Sequence, residues 1–498
     1  MAPRAPAPAP APTMLAVVDM GSNSFRLEVG RVEGGQIYRL DTVRETLRLG
    51  AGIDRRGNLT PFAQREAIAC LARFGERLRG FEPASVRAVA TNTFRVARNA
   101  ATFLPRAEDA LGFPIDVIAG HEEARLIYLG VAHVLPPGDA PRLVVDIGGG
   151  STEFIIGRGM QPEQLESLKL GCVTMTARFF PDGALSKHAL ARAETYAQVE
   201  VEAIAREFSR RHWKEAYASS GTALALADIL EQNGFSGGGI TGEGLDRLRK
   251  RLVAAKHFRH LKLEGLKAER APVLAGGFAV MAAAIAELGI PRILPVGGAM
   301  RLGVLYDLLG RREQRDSREA TVASFLERYH VDQPHAERVA ALARRLHDQA
   351  APHAPSLATR HVVWSALLHE VGYTVSHLGF HRHGAYILGN ADMPGFSRQD
   401  QQAMALLVLG CRGGLDKVAP ALADAGVRAQ LIALRLAVLF HHARQPIAVP
   451  RIRLRPGRAF GVDVSATWLR AHPLTAHLLA KERDEWAKAG YAWRRKAR

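Results

Sequence analysis

Residues Leu143–Phe154 read LVVDIGGGSTEF, and the expected architecture of the whole chain follows from this stretch. An apolar run leads into Asp146, consecutive glycines follow, and Ser-Thr-Glu precedes a second apolar run, which predicts a strand, a turn and a strand. Glycines let backbone N–H groups approach an anion closely, and adjacent hydroxyls add donors, so the turn is suited to phosphate oxygens. Asp146 and Glu153 flank the turn, and carboxylate oxygens beside a phosphate site are typical ligands of Mg²⁺. An ordinary hairpin is the simpler alternative.

A second stretch, Met14–Phe25, repeats this pattern as MLAVVDMGSNSF. Both stretches contain VVD-x-G, a turn with hydroxyl groups and a following Phe, and their aspartates, Asp19 and Asp146, are 127 residues apart. One copy of such a pattern arises easily by chance, but two copies in the same arrangement rarely do. The repeat therefore predicts two similar halves, with two phosphate loops that face one cleft.

The chain between the two turns alternates between predicted strands and helices. Val86–Thr91 and Ile115–Ile118 are short apolar strands, and the second runs into AGHEEARLIYLGV. Glu122 and Glu123 stand where the next helix begins, a place where acidic side chains commonly complement the helix dipole. Ligand clefts also form at the carboxyl ends of strands in α/β units, so one of these acids is a candidate functional residue. Two later turns, ASSGT and VGGAM, are either nucleotide-binding turns or plain connections.

Length and composition indicate a multidomain protein without a membrane span. A chain of 498 residues with 47% hydrophobic residues is expected to form about two to four domains. Residues 1–13 form an Ala-Pro tail without an apolar run, which predicts a disordered segment and no targeting signal. The long apolar stretch Ala271–Ala286 is interrupted by proline and paired glycines, and we expect a buried helix there. The three cysteines, Cys70, Cys172 and Cys411, are far apart, which argues against disulfides and favours a reducing cytoplasm.

The formal net charge of +17 is distributed unevenly, since residues 446–498 carry 12 Lys or Arg against 4 Asp or Glu. Such an excess attracts polyanions, for example nucleic acid, an acidic membrane surface or a polyphosphate. Nucleic acid is not favoured, because the sequence has neither zinc-finger spacing nor an aromatic RNA-binding pattern. Ordinary solubility is the alternative explanation of the charge.

Beyond the charged run Arg311–Arg318 the pattern becomes almost wholly helical, and alternation resumes only at residues 452–464. Five histidines fall within 23 residues: His361, His369, His377, His381 and His383. His369 is followed by Glu370, which resembles the metal-binding His-Asp pair of HD phosphohydrolases with Glu in place of Asp. Histidines on helices are also commonly packed in a core or turned toward an anion, so metal binding and packing both stay open.

Several stretches together resemble the exopolyphosphatase and guanosine pentaphosphate phosphohydrolase family: DMGSNSFRL, ATNTFRVARN, AGHEEARLIYLGV, DIGGGSTEF, LKLGCV, ASSGT, LLHEVGYTVSHLGFHRHGAYIL and DMPGFSR. The resemblance covers nearly the whole chain beyond the tail. It implies duplicated α/β halves of the ribonuclease H-like fold shared by actin, sugar kinases and chaperone ATPases, then an all-α HD-like domain and a small α+β domain. The expected segments are the disordered tail (1–13), two ribonuclease H-like domains (14–126 and 127–311), the HD-like domain (312–445) and a basic C-terminal domain (446–498).

Carried over position by position, the resemblance assigns Glu123 as the base that positions or deprotonates water. It assigns Asp146 and Glu153 as ligands of Mg²⁺ or Mn²⁺. The substrate would be bound by residues of the turns and of nearby segments: Gly21, Ser22, Asn23, Ser24, Arg95, Gly148, Gly149, Gly150, Ser151, Thr152 and Cys172. The HD-like domain, in which the family likewise replaces the acid, would bind or guide the substrate rather than cut it.

The activity that the resemblance implies is hydrolysis of the terminal phosphoryl group of inorganic polyphosphate by in-line attack of water. Removal of the 5′ phosphate of guanosine pentaphosphate needs the same cleft and is the first alternative. An ATP-dependent kinase would need an adenosine pocket and a sugar-binding acid, and the EEAR glutamate counts against it. A sensor that binds polyphosphate or guanosine penta- or tetraphosphate without turnover is disfavoured by the intact carboxylate set. The resemblance also suggests a homodimer.

Overall fold

The computed structural model describes residues 13–33, 35–297, 300–312, 316–446, 448–450, 452–455 and 460–497. The chain forms two compact units, Met1–Asp316 and Ser317–Arg498. The predicted disordered tail lies outside the described residues except for Thr13, which opens the first strand. Within the described ranges, no helix is long and apolar enough to cross a membrane.

The first half of the first unit is built on a five-stranded mixed sheet. Its strands are β1 (Thr13–Met20), β2 (Ser24–Glu33), β3 (Gln36–Thr46), β4 (Val86–Ala90) and β5 (Ile115–Val117). The order across the sheet is β3-β2-β1-β4-β5, with β1, β2 and β3 antiparallel and with β1, β4 and β5 parallel. The apolar run Leu15–Val18 is fully buried, as expected for a central strand that is covered on both faces.

The second half repeats this sheet. Its strands are β6 (Arg142–Ile147), β7 (Thr152–Arg158), β8 (Gln161–Leu168), β9 (Glu215–Ser219) and β10 (Leu294–Pro295). The order is β8-β7-β6-β9-β10, with the same alternation of antiparallel and parallel pairs as in the first sheet. The hairpins that we compared in the sequence are β1-β2 and β6-β7, so the predicted duplication of the α/β fold is confirmed.

Helices join the strands of the first unit: α1 (Pro61–Arg77), α2 (Asn92–Val96), α3 (Ala100–Leu111), α4 (Gly120–Ala132), α5 (Cys172–Phe179), α6 (Lys187–Glu202), α7 (Ser220–Gln232), α8 (Gly242–Ala255), α9 (Leu274–Glu287) and α10 (Met300–Arg312). The Thr60 hydroxyl caps α1 by accepting a hydrogen bond from the Ala63 N–H, and Pro61 opens the helix. The apolar stretch that we expected to form a buried helix is α9, which is buried along almost its whole length.

Two predicted domain boundaries need correction. Helix α4 runs without interruption through residues 126 and 127, where we placed the boundary between the halves. The first unit also ends at Asp316 rather than at residue 311. Helix α10 follows the last strand of the second sheet and packs back against α4 and β1, so the two halves share this packing within one unit.

The second unit is mainly helical. Its helices are α11 (Ser317–Arg328), α12 (Gln333–Ala350), α13 (Ser356–Leu367), α14 (Phe380–Asn390), α15 (Arg398–Gly410), α16 (Ala425–Phe440), α17 (Ala466–Ala471) and α18 (Pro473–Lys488). Strands β11 (Arg453–Arg455), β12 (Phe460–Val464) and β13 (Trp493–Ala497) form a small sheet in that order. Val462, Val464 and Trp486 share one core with α12 and α16. Residues 446–498 therefore do not form the separate domain that we predicted.

Candidate active site

The two glycine-containing turns of the duplicated hairpins face each other across one cleft in the first unit. They lie so close that a Cβ on Gly149 would stand 3.2 Å from the Cβ of Ser22. A Cβ on Gly150 would meet the side-chain amide of Asn92. The glycines are therefore required by the close approach of the two loops, and they leave a cavity of about 390 Å³ between them.

Most of the predicted site residues line this cavity. They are Gly21, Ser22, Asn23, Ser24, Glu123, Asp146, Gly148, Gly149, Gly150, Ser151 and Cys172. These residues come from both hairpins, from the start of α4 and from the start of α5. The structure thus brings together segments that are more than a hundred residues apart in the chain.

Three predicted residues, Arg95, Thr152 and Glu153, lie behind the cavity lining. Thr152 is fully buried and donates its hydroxyl hydrogen to the carbonyl oxygen of Leu170 at 2.5 Å. That hydroxyl is therefore used inside the fold, and our prediction that its side chain holds phosphate needs correction. Glu153 is 1% exposed and accepts a hydrogen bond from the Ser167 hydroxyl at 2.9 Å.

Arg95 holds Glu123 in place. Its Nη1 donates to Glu123 Oε2 at 2.8 Å and to the carbonyl oxygen of Ile118 at 2.9 Å. We had expected Arg95 to neutralise phosphate directly; in this structure its charge acts on the carboxylate of Glu123. Burial raises the pKa of Glu123, the charge of Asp19 raises it further, and Arg95 opposes both effects.

The neighbouring acid, Glu122, is turned away from the cleft and belongs to a buried ion-pair network. Arg125 donates to its two carboxylate oxygens at 2.7 and 2.9 Å, and also to Asp307 of α10 at 2.6 Å. Arg87 of β4 donates to Asp307 at 2.8 Å. Arg125 therefore fastens α4 to α10 while Glu122 holds its guanidinium, and Glu123, one residue further along the helix, faces the cleft.

Carboxylates are concentrated on one side of the cleft. Burial raises the pKa of Asp146 to about 6, and the charges of Glu123 and Asp19 contribute, while the hydrogen bond from the Ser219 hydroxyl opposes the rise. The pKa of Glu153 is raised well above its ordinary value by burial and by the charges of Glu123 and Asp146. Such mutually repelling oxygens fit a hard divalent cation, which would relieve the repulsion. Asp146 lines the cleft and is the direct candidate ligand, with Glu153 behind it.

Four arginines that our sequence analysis did not assign also line the cleft: Arg26, Arg39, Arg270 and Arg301. Burial and neighbouring arginines lower the pKa of Arg26 to about 10, and the pKa of Arg270 is lowered mainly by burial. Crowding buried cations in this way costs free energy, which a bound polyanion would offset. The DMGSNSFRL stretch contains Arg26 two residues after the turn, so its position was a usable signal, whereas nothing local marks Arg270.

The ASSGT turn also reaches the cleft. Ser220, Gly221 and Thr222 line it at the start of α7, and Ser220 adopts a φ of 92°, which is strained for a residue with a side chain. A Cβ on Gly221 would collide with the guanidinium of Arg270, so the glycine makes room for this arginine. In the VGGAM turn, Gly297 lines the cleft, and the next two residues lie outside the described ranges.

Duplicated mixed sheets of the actin-like ATPase type, two phosphate-type loops, buried carboxylates and crowded arginines define a phosphohydrolase that acts on phosphoric anhydride bonds. The chain belongs to the Ppx/GppA phosphatase family, whose family model matches residues 29–312. The model of domain III of the same phosphatases matches residues 317–483.

Relatives of known name agree with this assignment. The chain is 36% identical over 488 residues to the guanosine-5′-triphosphate,3′-diphosphate pyrophosphatase of Vibrio parahaemolyticus, a match that covers 96% of this chain and 97% of that protein. An exopolyphosphatase from Cytophaga hutchinsonii is similar in structure, with 25% identity, a TM-score of 0.53, and coverage of 60% of this chain and 98% of the other. The Ppx-GppA enzyme of Aquifex aeolicus is similar at 25% identity and a TM-score of 0.50, covering 59% and 99% of the two chains.

Proposed function

We propose that the chain is an exopolyphosphatase, which removes the terminal phosphoryl group from inorganic polyphosphate. The observation that carries this proposal is the cleft itself, where a carboxylate held by an arginine lies beside the two glycine-containing turns and a group of crowded arginines. Among the lining residues that the structure describes there is no aromatic ring on which a base could stack. A substrate of phosphates alone would find its contacts within this cleft, whereas a nucleobase would have to be held outside it.

In the proposed reaction, Glu123 accepts a proton from water while the water oxygen attacks the terminal phosphorus. A new P–O bond forms, the anhydride P–O bond breaks, and the products are orthophosphate and a chain one unit shorter. Phosphoryl transfer requires little covalent participation by the protein, so positioning and charge neutralisation supply most of the acceleration. The hydroxyls of Ser22 and Ser151 and the loop N–H groups would hold the terminal oxygens, and Arg26 and Arg270 would neutralise the developing charge.

We infer that Mg²⁺ or Mn²⁺ takes part, with Asp146 as a ligand and Glu153 as a supporting carboxylate. When bound, such an ion polarises phosphoryl oxygens and neutralises part of their charge. The carboxylate oxygens of Asp146 are of the type that these ions prefer. The hydroxyl of Ser219 orients Asp146 through its hydrogen bond.

A second candidate is removal of the 5′ phosphate of guanosine pentaphosphate. It is favoured by the 36% identity to the Vibrio pyrophosphatase over nearly the full length of both chains. The chemistry in the cleft would be the same, since the bond that breaks is again a terminal phosphoric anhydride. The two substrates differ only in the part that extends past the cleft, which is more phosphate units in polyphosphate and the guanosine in guanosine pentaphosphate.

Phosphate release measured side by side on long-chain polyphosphate, guanosine pentaphosphate and ATP tests the proposal. We expect the highest kcat/KM on polyphosphate, and Glu123→Gln provides the background that any contaminating phosphatase would leave. A kcat/KM at least tenfold higher on guanosine pentaphosphate would replace the first function with the second. Binding of either compound without release would favour the sensor.

We also propose that the enzyme acts in the cytoplasm as a homodimer. All three cysteines are free and buried, which suits a reducing compartment. The homodimer rests on the family resemblance alone. Cell fractionation and light scattering during gel filtration test these two points, and a periplasmic location or a monomer would contradict them.

A further inference from the structure

A second cavity, of about 830 Å³, lies entirely within the second unit. His335, His369 and Glu370 line it, and all three residues are buried. One ligand atom from each of them lies within 4.8 Å of the other two. The predicted function of the first unit makes no use of this cluster.

Two separate segments of the chain bring the cluster together. His335 lies in the first turn of α12, and the Asp332 carboxylate caps that helix by accepting from the His335 N–H at 3.1 Å. His369 and Glu370 follow the end of α13 at Leu367. Helix α12 packs against both α13 and α16, so the positions of these side chains are fixed by the helix packing.

Backbone hydrogen bonds orient the imidazole rings toward the cluster. Nδ1–H of His369 donates to the carbonyl oxygen of Ala366 at 2.7 Å, and Nδ1–H of His441 donates to Ala437 at 2.9 Å. A carbonyl oxygen only accepts, so each ring carries its proton on Nδ1 and keeps a lone pair on Nε2. Histidines that bind metals are usually fixed by this type of hydrogen bond.

The Nε2 atoms of His335 and His369 both approach one carboxylate oxygen. His335 Nε2 is 3.6 Å from Glu370 Oε1, and His369 Nε2 is 3.8 Å from the same atom. Metal–ligand bonds of about 2 Å place neighbouring ligand atoms slightly more than 3 Å apart, so these two N···O distances need to shorten only slightly, and the two imidazoles, whose ligand atoms lie within 4.8 Å, would close around the ion. The Nδ1 atom of His335 is buried and has no hydrogen-bond partner among the described residues, which leaves this ring free to turn.

Arg444 now holds Glu370. Its Nη1 and Nη2 atoms donate to the two carboxylate oxygens at 3.0 and 2.5 Å. The Arg444 side chain is 42% exposed, so it is able to move into solvent. The guanidinium of Arg444 balances the negative charge of Glu370. A metal ion bound by the cluster would balance the same charge.

We propose that His335, His369 and Glu370 form a binding site for a divalent first-row transition metal of the Zn²⁺ class. Two imidazoles and one carboxylate are a common donor set for zinc, and a site with three protein ligands keeps a position open. Here the open position faces the second cavity. Arg444 releases Glu370 when the ion binds.

Full-length protein without a histidine tag, stripped with EDTA and titrated with Co²⁺ in the presence of excess Mg²⁺, tests the proposal. The Mg²⁺ saturates oxygen-only sites, while the visible absorption of Co²⁺ reports nitrogen ligands and a low coordination number. We expect one equivalent to bind, and Zn²⁺ to displace it. His369→Ala and Glu370→Gln should each weaken binding by more than the roughly 10- to 100-fold that loss of an outer-shell partner costs.

Two further variants complete the experiment. His383→Ala removes a histidine of α14 outside the cluster and should bind Co²⁺ like the wild type. Arg444→Gln removes the competing cation and should tighten Co²⁺ binding severalfold, because that gain in affinity corresponds to the free energy of a half-exposed ion pair. Thermal unfolding followed by circular dichroism checks that each variant is folded. Three results would overturn the proposal: the wild type binds no stoichiometric Co²⁺, His383→Ala weakens binding as much as His369→Ala does, or Arg444→Gln leaves the Co²⁺ affinity unchanged. In each case the cluster would be a packed polar group that Arg444 holds together.

Discussion

Replacement of Glu123 by Gln tests the proposed base with little disturbance of the structure. Glutamine has the shape of glutamate, and its amide oxygen can still accept the hydrogen bond that Arg95 now donates at 2.8 Å. The charge disappears, and with it the capacity to accept a proton from water. The substitution therefore separates the chemistry of the carboxylate from its packing.

The expected loss of catalytic rate follows from the role of Glu123 as the general base. General base catalysis contributes about 10²- to 10⁴-fold, which corresponds to roughly 2.7–5.4 kcal/mol of transition-state stabilisation. Glu123 lies in the same group of acids as Asp19 and Asp146, so removing its charge also reduces repulsion of an incoming polyanion. We expect kcat to fall by about 10²- to 10⁴-fold, while KM for polyphosphate stays the same or decreases.

The assay is phosphate release under saturating and limiting polyphosphate, combined with a direct binding measurement. Glu163→Gln is the matched control, because Glu163 is 44% exposed on β8 and forms only a surface pair with Arg158. Glu122→Gln is unsuitable as a control, because it would break a buried ion pair. A Glu123→Gln enzyme that retains more than about a tenth of wild-type kcat, well above the expected range, would refute the role as base.

Other perturbations give equally direct outcomes. Arg95→Gln removes the charge that lowers the pKa of Glu123, so the pH below which kcat/KM falls should move upward, and an unchanged pH profile would contradict the pairing. Asp146→Asn should lower activity and raise the Mg²⁺ concentration needed for half-maximal rate; full activity of the wild type in EDTA would exclude the metal. Asp307→Asn removes the buried carboxylate that Arg87, Arg125 and Arg311 share and should destabilise the first unit by about 3–5 kcal/mol, against at most about 1 kcal/mol for Asp116→Asn, as calorimetry can test. The KM for long polyphosphate should rise steeply with NaCl while that for short chains changes little, and equal salt dependence would argue against extended contacts with the basic second unit.

The hairpins and helices of the first unit were predictable because their signals are local. The VVD-x-G repeat marks the end of a strand and the start of a turn in both halves, and the structure has β1-β2 and β6-β7 at those positions. Ala67, Leu71, Phe74 and Leu78 recur at helical spacing, and in the structure they form the buried side and the end of α1. Patterns of this kind depend on neighbouring residues alone, so the sequence carries them in full.

The division of roles within the site depends on contacts between distant residues, which spacing does not reveal. Glu122 and Glu123 occupy the same first helical turn, and their partners distinguish them: Arg125 binds Glu122, whereas Arg95 binds Glu123. Thr152 belongs to β7 rather than to the turn, so the hydroxyl that we expected in the cleft points to Leu170. The position where a strand begins is not marked sharply enough in the sequence to predict this.

The two duplicated hairpins carry opposite charges at the position paired with the aspartate before the turn, and from this difference we infer that they have complementary tasks. Across the first hairpin Asp19 is paired with Arg26, whereas across the second hairpin Asp146 is paired with Glu153. Arg301 donates to Asp19 at 3.2 Å, so the acid of the first hairpin is already neutralised and that side of the cleft keeps cationic charge for phosphate oxygens. The second hairpin concentrates two carboxylates instead, a charge that a divalent cation balances most directly. A phosphoryl group in transfer needs both kinds of neutralisation, and the two hairpins supply one each.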